Sequence, residues 1–314
     1  MIEIRTKVRE TLWKETGGSA SEPDWDYEAA GRVRDSMQDE ASKQQYGQEI
    51  VYLALRESGC GRAGLYSPCS NRQWQSAELL AKILRGGFNF QRLGGWRLPD
   101  LEVPPGPGSQ FLESYFHLTT FIFEQYRYGD DVCVRSGDVV LDCGACVGDS
   151  AIWALSYGAS AVHSFEPDAL NLAALKNNVF RHGGGKIKIV PKAIGKETGA
   201  VRFIHDNSCV GSKIAGEAAF GAQTVPMASI DGYVKEHGIA PSFIKIDVEG
   251  NEPDALTGAK ETLVKYRPRL AVCLYHRSSD MWEIPDLISG IAPEYRYWCR
   301  KNHPAGEFIL YGAV

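Results

Sequence analysis

Basic residues are in the minority: 34 lysines and arginines stand against 39 acids, for a formal charge of −5. A nucleic-acid binder normally shows a clustered basic surface, so DNA and RNA are not expected partners. Long apolar runs are also missing. Nothing approaches the roughly 18 to 20 residues that a membrane span needs, and the opening Met1-Ile2-Glu3-Ile4-Arg5 lacks the apolar stretch of a secretory leader. A cytoplasmic protein with no membrane partner is the expectation. Cysteine is neither dense nor regularly spaced. Cys60, Cys69, Cys133, Cys143, Cys146, Cys209, Cys273 and Cys299 are scattered, several inside apolar stretches such as Ala271-Val272-Cys273-Leu274. That argues against a disulfide framework and suits reduced core thiols. No internal repeat or low-complexity tract stands out.

What is present is an ordinary globular composition, 44% hydrophobic and 23% charged over 314 residues. That length suits a large α/β unit plus an added module. The first part, to about residue 87, has helical spacing. Residues 48–57 carry Ile50, Val51, Leu53, Ala54 and Leu55, and residues 76–85 carry Ala77, Leu79, Leu80, Ile83 and Leu84 before Gly86-Gly87 stops the pattern. The charge-rich stretch 32–48 reads as a solvated helix face, and this helical module is the expected seat of any homodimer contact. Turn formers crowd residues 94–108, which marks a linker and divides the chain into 1–108 and 109–314. Residues 111–128 then place Leu112, Tyr115, Phe116, Thr119 and Phe123 on one helical stripe, expected to pack against the following sheet, with a substrate-lining aromatic face as the less favoured alternative.

Beyond Arg135 short apolar runs alternate with helices, the pattern of βαβ units around a parallel sheet. Strands are predicted at 138–142, 161–165, 186–190, 243–247 and 269–275, with two more, 199–205 and 223–227, inserted before Phe243. The closing pair, 295–299 and 308–312, suits an antiparallel hairpin. The fold expected is therefore Rossmann-like α/β, with a mostly parallel seven-stranded sheet.

The first strand runs into Asp142-Cys143-Gly144-Ala145-Cys146-Val147-Gly148-Asp149-Ser150 and then a helix. Glycines there permit a tight turn and close backbone approach, and the helix N-terminus offers free amides to a ligand. The glycine spacing alone is weak evidence. The next strand ends in Phe165-Glu166-Pro167, 22 positions after Gly144, near the offset at which an acid takes both ribose hydroxyls of an adenosine cofactor. A dinucleotide turn wants G-x-G-x-x-G, whereas this reduced set follows Asp142, an acid that would repel pyrophosphate and suits the α-ammonium of a methionine moiety. The balance favours S-adenosylmethionine over a nicotinamide cofactor. A redox or zinc role for the Cys143/Cys146 pair is disfavoured, because the glycines and Glu166 already account for the turn and no second cysteine pair exists.

Further on, Phe243-Ile244-Lys245-Ile246-Asp247-Val248-Glu249-Gly250 alternates, so Lys245, Asp247 and Glu249 point one way if the strand persists. Central parallel strands are usually apolar on both faces, so these groups mark a candidate site; the plainer alternative is an ion pair with helix capping. His276 follows the next strand and is expected beside them, since ligands bind outside the carboxyl ends of such strands.

Taken in order and at these spacings, 137–145, Phe165-Glu166-Pro167 with Asn171 and Asn178, Ser229-Ile230-Asp231, 244–250 and Tyr275-His276 resemble the FkbM family of methyltransferases. The resemblance covers residues 124–314. It implies a class I methyltransferase fold, S-adenosylmethionine as donor, and O-methylation of a hydroxyl on a sugar, glycan or secondary metabolite. It also implies that Asp142, Gly144, Ala145 and Gly148 form the methionine-side motif, with Ser150 beside them, Glu166 and Pro167 at the ribose, and Ala193 near the adenine. In this reading Asp247 and His276 assist deprotonation of the acceptor, Glu249 binds its hydroxyls, Lys245 holds the carboxylates, and Asp247 also touches the cofactor. The loop 207–212 is expected to cover the cofactor. A divalent metal on Asp247 and Glu249 is compatible with these donors, but the set is too generic to assign one. The competing readings are a nicotinamide-dependent oxidoreductase and a catalytically idle adaptor acting through the helical N-terminus.

Overall fold

The protein is described here from a computed structural model, which covers residues 2–60, 63, 67–68, 98–105, 109–206, 211–215, 220–303 and 307–314. Five apolar runs become the strands β1 (Val139–Cys143), β2 (Ala161–Phe165), β3 (Ile187–Val190), β8 (Phe243–Ile246) and β9 (Arg269–Cys273). The hairpin β10 (Arg296–Lys301) and β11 (Phe308–Ala313) completes a seven-stranded sheet. Its order is β3-β2-β1-β8-β9-β11-β10, parallel throughout except where β11 inserts antiparallel between β9 and β10. This is the expected architecture. Every residue of β8 and β11 is buried, as strands covered on both faces require.

The two inserted segments do form strands, β5 (Gly199–Ile204) and β7 (Gln223–Ala228), but they pair in a separate small sheet. Two short strands that the sequence did not announce, β4 (Ala193–Ile194) and β6 (Lys213–Ile214), give that sheet its order β4-β7-β5-β6. Two residues are too few for a periodicity to show.

Three helices open the chain: Ile2–Thr16, Tyr27–Ser36 and Glu40–Glu57. The last two start on Asp26 and Asp39, whose side chains accept the amides of Ala29 and Ser42 as N-caps. These helices share one hydrophobic cluster with the sheet, in which Tyr46, Ile50 and Leu55 pack with Phe308 and Leu310. Polar ties accompany it: Tyr46 donates to the Met281 carbonyl at 2.6 Å, and Lys301 Nζ meets Glu49 Oε1 at 2.6 Å with both side chains buried. Breaking a buried ion pair strands a charge, so Lys301→Met should cost about 3–5 kcal/mol. A urea titration checks it; a loss below about 1 kcal/mol would mean that Glu49 finds water instead.

The predicted helix 76–85 lies outside the described residues. Of the expected linker, residues 98–105 are described, and they are pinned rather than loose. Asn178 accepts the Glu102 amide at 2.7 Å and donates to the carbonyls of Glu102 and Val147, while Leu101 is buried. The helix expected over 111–128 is shorter: Ser109–Phe116 continues into a wide π-helical turn, His117–Ile122, and the chain breaks away at Glu124, whose φ is +50°. That break sends Gln125 and Tyr126 back toward the sheet.

Candidate active site

At the carboxyl ends of β1, β2 and β8 lies a cavity of about 350 Å³, the place where open α/β sheets bind ligands. Gly144 makes the approach possible. Its φ is +81°, and a methyl group there would drive into the Asp247 carbonyl at the end of β8. Gly148, φ +88°, opens the helix Asp149–Ser156, whose first side chain, Asp149, faces the cavity.

Glu166 sits at the end of β2 in the cavity wall, with Oε2 accepting the Cys146 amide at 2.8 Å and Oε1 the Asp168 amide at 2.7 Å. Burial pushes its carboxyl up to about 8. Hydroxyl donors from a bound sugar would favour the ionised form, so ligand binding should release a proton, and affinity should rise from pH 6 to above 8. The unliganded protein should show the opposite trend. Its folded state keeps a proton that the unfolded chain loses in the ordinary carboxylate range, so stability falls as pH climbs from that range through about 8. Thermal melts with and without ligand at pH 6 and 8.5 test both signs; parallel trends would contradict the assignment.

The charged end of β8 divides into two groups. Lys245 is buried and pairs across the register with Asp142, at 3.3 Å, while also donating to the Gly144 carbonyl. Burial works against its ammonium, but Asp142 and Asp247 hold it charged above the usual lysine range. Lys245 therefore holds Asp142 and the glycine turn, with Asp247 as a longer-range neighbour, rather than gathering Asp247 and Glu249 as expected. Asp142 itself does not reach the cavity. Its buried carboxylate takes Ser150 Oγ at 2.8 Å and Ser164 Oγ at 3.3 Å beside Lys245, so its partners are already in place. Ala145, Gly148 and Ser150 also lie behind the lining, whereas Gly144, Glu166, Pro167, Ala193, Lys245, Asp247 and Glu249 belong to it.

Asp247 accepts Tyr275 Oη at 3.0 Å and Tyr126 Oη at 3.4 Å. His276 is placed beside the carboxylates as predicted, yet outside the cavity wall. β9 ends at Cys273, and of the next residues Tyr275 takes the cavity side while His276 turns behind it. There its Nε2 lies 3.3 Å from Glu249 and 3.6 Å from Asp247, and its Nδ1 3.0 Å from Glu252. Burial disfavours the imidazolium, but Glu249 and Glu252 outweigh it and raise the histidine well above its ordinary range.

Several lining residues escaped the sequence reading. Tyr115 and Phe116, for which packing is the favoured expectation and a substrate-lining face the lesser one, line the cavity, together with Gln125 and Tyr126. From the far end of the chain come His303 and Glu307, and Tyr115 donates to Glu307 Oε1. Glu307 Oε2 is buried with no hydrogen-bond partner among the described residues, and burial together with the Asp247 charge pushes this carboxyl to about 8. The small sheet closes another side with Phe203, Ser212 and Ile214. Ser212 and His205 both bond Asp168 Oδ2, tying that sheet to the helix start beside Glu166. Of the covering loop 207–212, residues 207–210 lie outside the described residues. Cys143 is fully buried with its thiol pushed up by burial, which argues against a redox role for the Cys143/Cys146 pair.

A sheet of this order with its site at the glycine turn defines the class I methyltransferase fold. Residues 142–297 match the model of the Methyltransferase FkbM domain, so the chain carries an FkbM methyltransferase domain over that stretch. Among solved structures, a methyltransferase FkbM from Methylobacillus flagellatus KT is similar at 21% identity and a TM-score of 0.57, covering 91% of this chain and 58% of that one. This chain thus spans under two thirds of that relative. A precorrin-6y C5,15-methyltransferase from Geobacter metallireducens GS-15 matches at 10% identity and a TM-score of 0.38, over 61% of this chain and 85% of its own. A ribosomal protein L11 methylase from Lactobacillus delbrueckii subsp. bulgaricus matches at 12% and 0.38, over 68% and 81%. None of the curated proteins compared with the sequence matches it. Among the described residues, no helix is long and apolar enough to cross a membrane.

Proposed function

We propose that the chain is an S-adenosylmethionine-dependent O-methyltransferase acting on a hydroxyl of a small molecule, sugar or secondary metabolite. The observation that carries the reading is the excess of acidic side chains in the cavity lining. Asp149, Glu166, Asp247, Glu249 and Glu307 line it against Lys192 and Lys245, and Lys245 is already held by Asp142. A ligand with ammonium and sulfonium charges would draw the raised carboxyls among these into their ionised form, whereas a pyrophosphate would hold them protonated and find little counter-charge, which weighs against the nicotinamide reading. An adaptor would have no use for a buried acid oxygen such as Glu307 Oε2, which has no hydrogen-bond partner among the described residues, in a cavity wall.

The reaction is an in-line transfer. The acceptor oxygen forms a bond to the methyl carbon as the carbon–sulfur bond breaks, its electron pair stays on sulfur, and S-adenosylhomocysteine leaves. Alignment of the two reactants is the largest contribution the protein can make, up to about 7–11 kcal/mol. Asp247, fixed by Tyr275 and Tyr126, orients the hydroxyl. Its proton passes to Glu307, whose raised carboxyl and free Oε2 suit a base near neutral pH. His276 is a positioning residue behind Asp247 and Glu249. A cytoplasmic location, a small-molecule or glycan acceptor, and any homodimer through the N-terminal helices belong to the same proposal. Incubation with methyl-labelled S-adenosylmethionine and a panel of hydroxylated metabolites and sugars, followed by mass spectrometry, tests it. Label on a nitrogen or carbon rather than oxygen would refute the acceptor class.

A further inference from the structure

The group around His276 has more negative charge than its own residues can balance. Three carboxylates, those of Asp247, Glu249 and Glu252, lie within 3.0–3.6 Å of the two ring nitrogens. Among the described residues neither nitrogen finds a hydrogen bond of acceptable geometry, although the side chain is only 9% exposed. A protonated ring would leave two negative charges uncompensated. A neutral ring with a divalent cation leaves one, and it gives the misaligned nitrogen a use as a ligand.

We infer that Asp247, Glu249 and His276 form a divalent-cation site in the cavity wall, with Glu252 steadying the ring from behind. One donor atom from each of the three lies within 4.8 Å of the other two. The observed separations of Nε2 from the two oxygens, 3.3 and 3.6 Å, approach the ~3.0 Å between neighbouring ligands of an octahedral ion held at about 2.1 Å. Glu252 Oε1 is fixed by the Val248 amide at 2.8 Å and lies 3.0 Å from Nδ1, so a small rotation of the ring onto an ion would complete the carboxylate–histidine pairing that leaves Nε2 to the metal. Mixed carboxylate and imidazole donors suit Mn²⁺ or a similar ion. Asp247 and Glu249 face the cavity, so positions left open on the ion would be available to the acceptor hydroxyl. The cation would take that oxygen as a ligand and make loss of its proton to Glu307 easier.

The role in deprotonation rests on the methyltransferase reading, whereas the site itself does not, and two titrations of the intact chain separate them. Electron paramagnetic resonance of Mn²⁺ should show one equivalent of the free-ion signal disappearing on addition of protein. Glu249→Gln and His276→Gln should each weaken binding at least tenfold, and Glu252→Gln by roughly 10–100-fold. Glu249 is partly exposed, so its variant keeps the test valid if the histidine variant fails to fold. Calorimetry with S-adenosylmethionine runs in parallel. Cofactor binding without loss of the Mn²⁺ signal overturns the cation site and leaves the proposed function standing. Mn²⁺ binding that survives Glu249→Gln unchanged places the ion elsewhere and overturns it too. Mn²⁺ uptake without cofactor binding supports the site and refutes the methyl-donor reading.

Discussion

Glu166→Gln should weaken S-adenosylmethionine binding by roughly 100-fold, since each charge-assisted hydrogen bond to a ribose hydroxyl contributes about 1.5–3 kcal/mol. The amide cannot replace the carboxylate on either side. Two oxygens now accept backbone amides from Cys146 and Asp168, and a glutamine must set an NH₂ group against one of these donors. Proton release on binding should vanish with the acid, which a folding defect would not reproduce. Calorimetry in two buffers of different ionisation enthalpy reads both effects. A variant that binds the cofactor as tightly as the parent, with the same proton release, would remove Glu166 from the ribose.

Glu307→Gln should lower turnover by about 10²–10⁴, the usual range for loss of a general base, with cofactor affinity nearly unchanged. Glutamine can still accept from Tyr115, so the wall keeps its shape while the proton acceptor is lost. The sign of the pH profile follows from the carboxyl raised to about 8: parent turnover climbs with pH toward that value, and the variant loses the climb. Single-turnover rates between pH 6 and 9 decide it. A variant with full rates, or with the same pH dependence, would move the base to another group.

The large sheet was legible because buried strands leave apolar runs that need no partner to be recognised. The stretch from Val139 to Leu141 and the whole of Phe243–Ile246 are such runs broken only by Lys245, and the acid at Glu166 follows at an offset that the strand–helix–strand geometry fixes. What stayed hidden depends on contacts between distant parts of the chain. Nothing in the sequence around Glu307 points to a cavity shared with Tyr115, 192 residues away, and the turn that aims Gln125 and Tyr126 inward begins at a single positive φ. The partner of Lys245 was misjudged for a related reason. Alternation along β8 groups it with Asp247 and Glu249, but the neighbouring strand β1 sets Asp142 directly opposite, and only strand order reveals that neighbour. His276 was placed at the correct strand end, while its orientation hinged on where β9 stopped.

The cavity's acid excess and its glycine approach make one claim together, that an amino-acid-bearing adenosine cation fits there and a dinucleotide does not. Titrating the unmodified chain with S-adenosylmethionine and, separately, with NADH at pH 8 tests this most directly. One equivalent of S-adenosylmethionine bound with no heat from NADH is the predicted result; NADH binding with none from S-adenosylmethionine would contradict it.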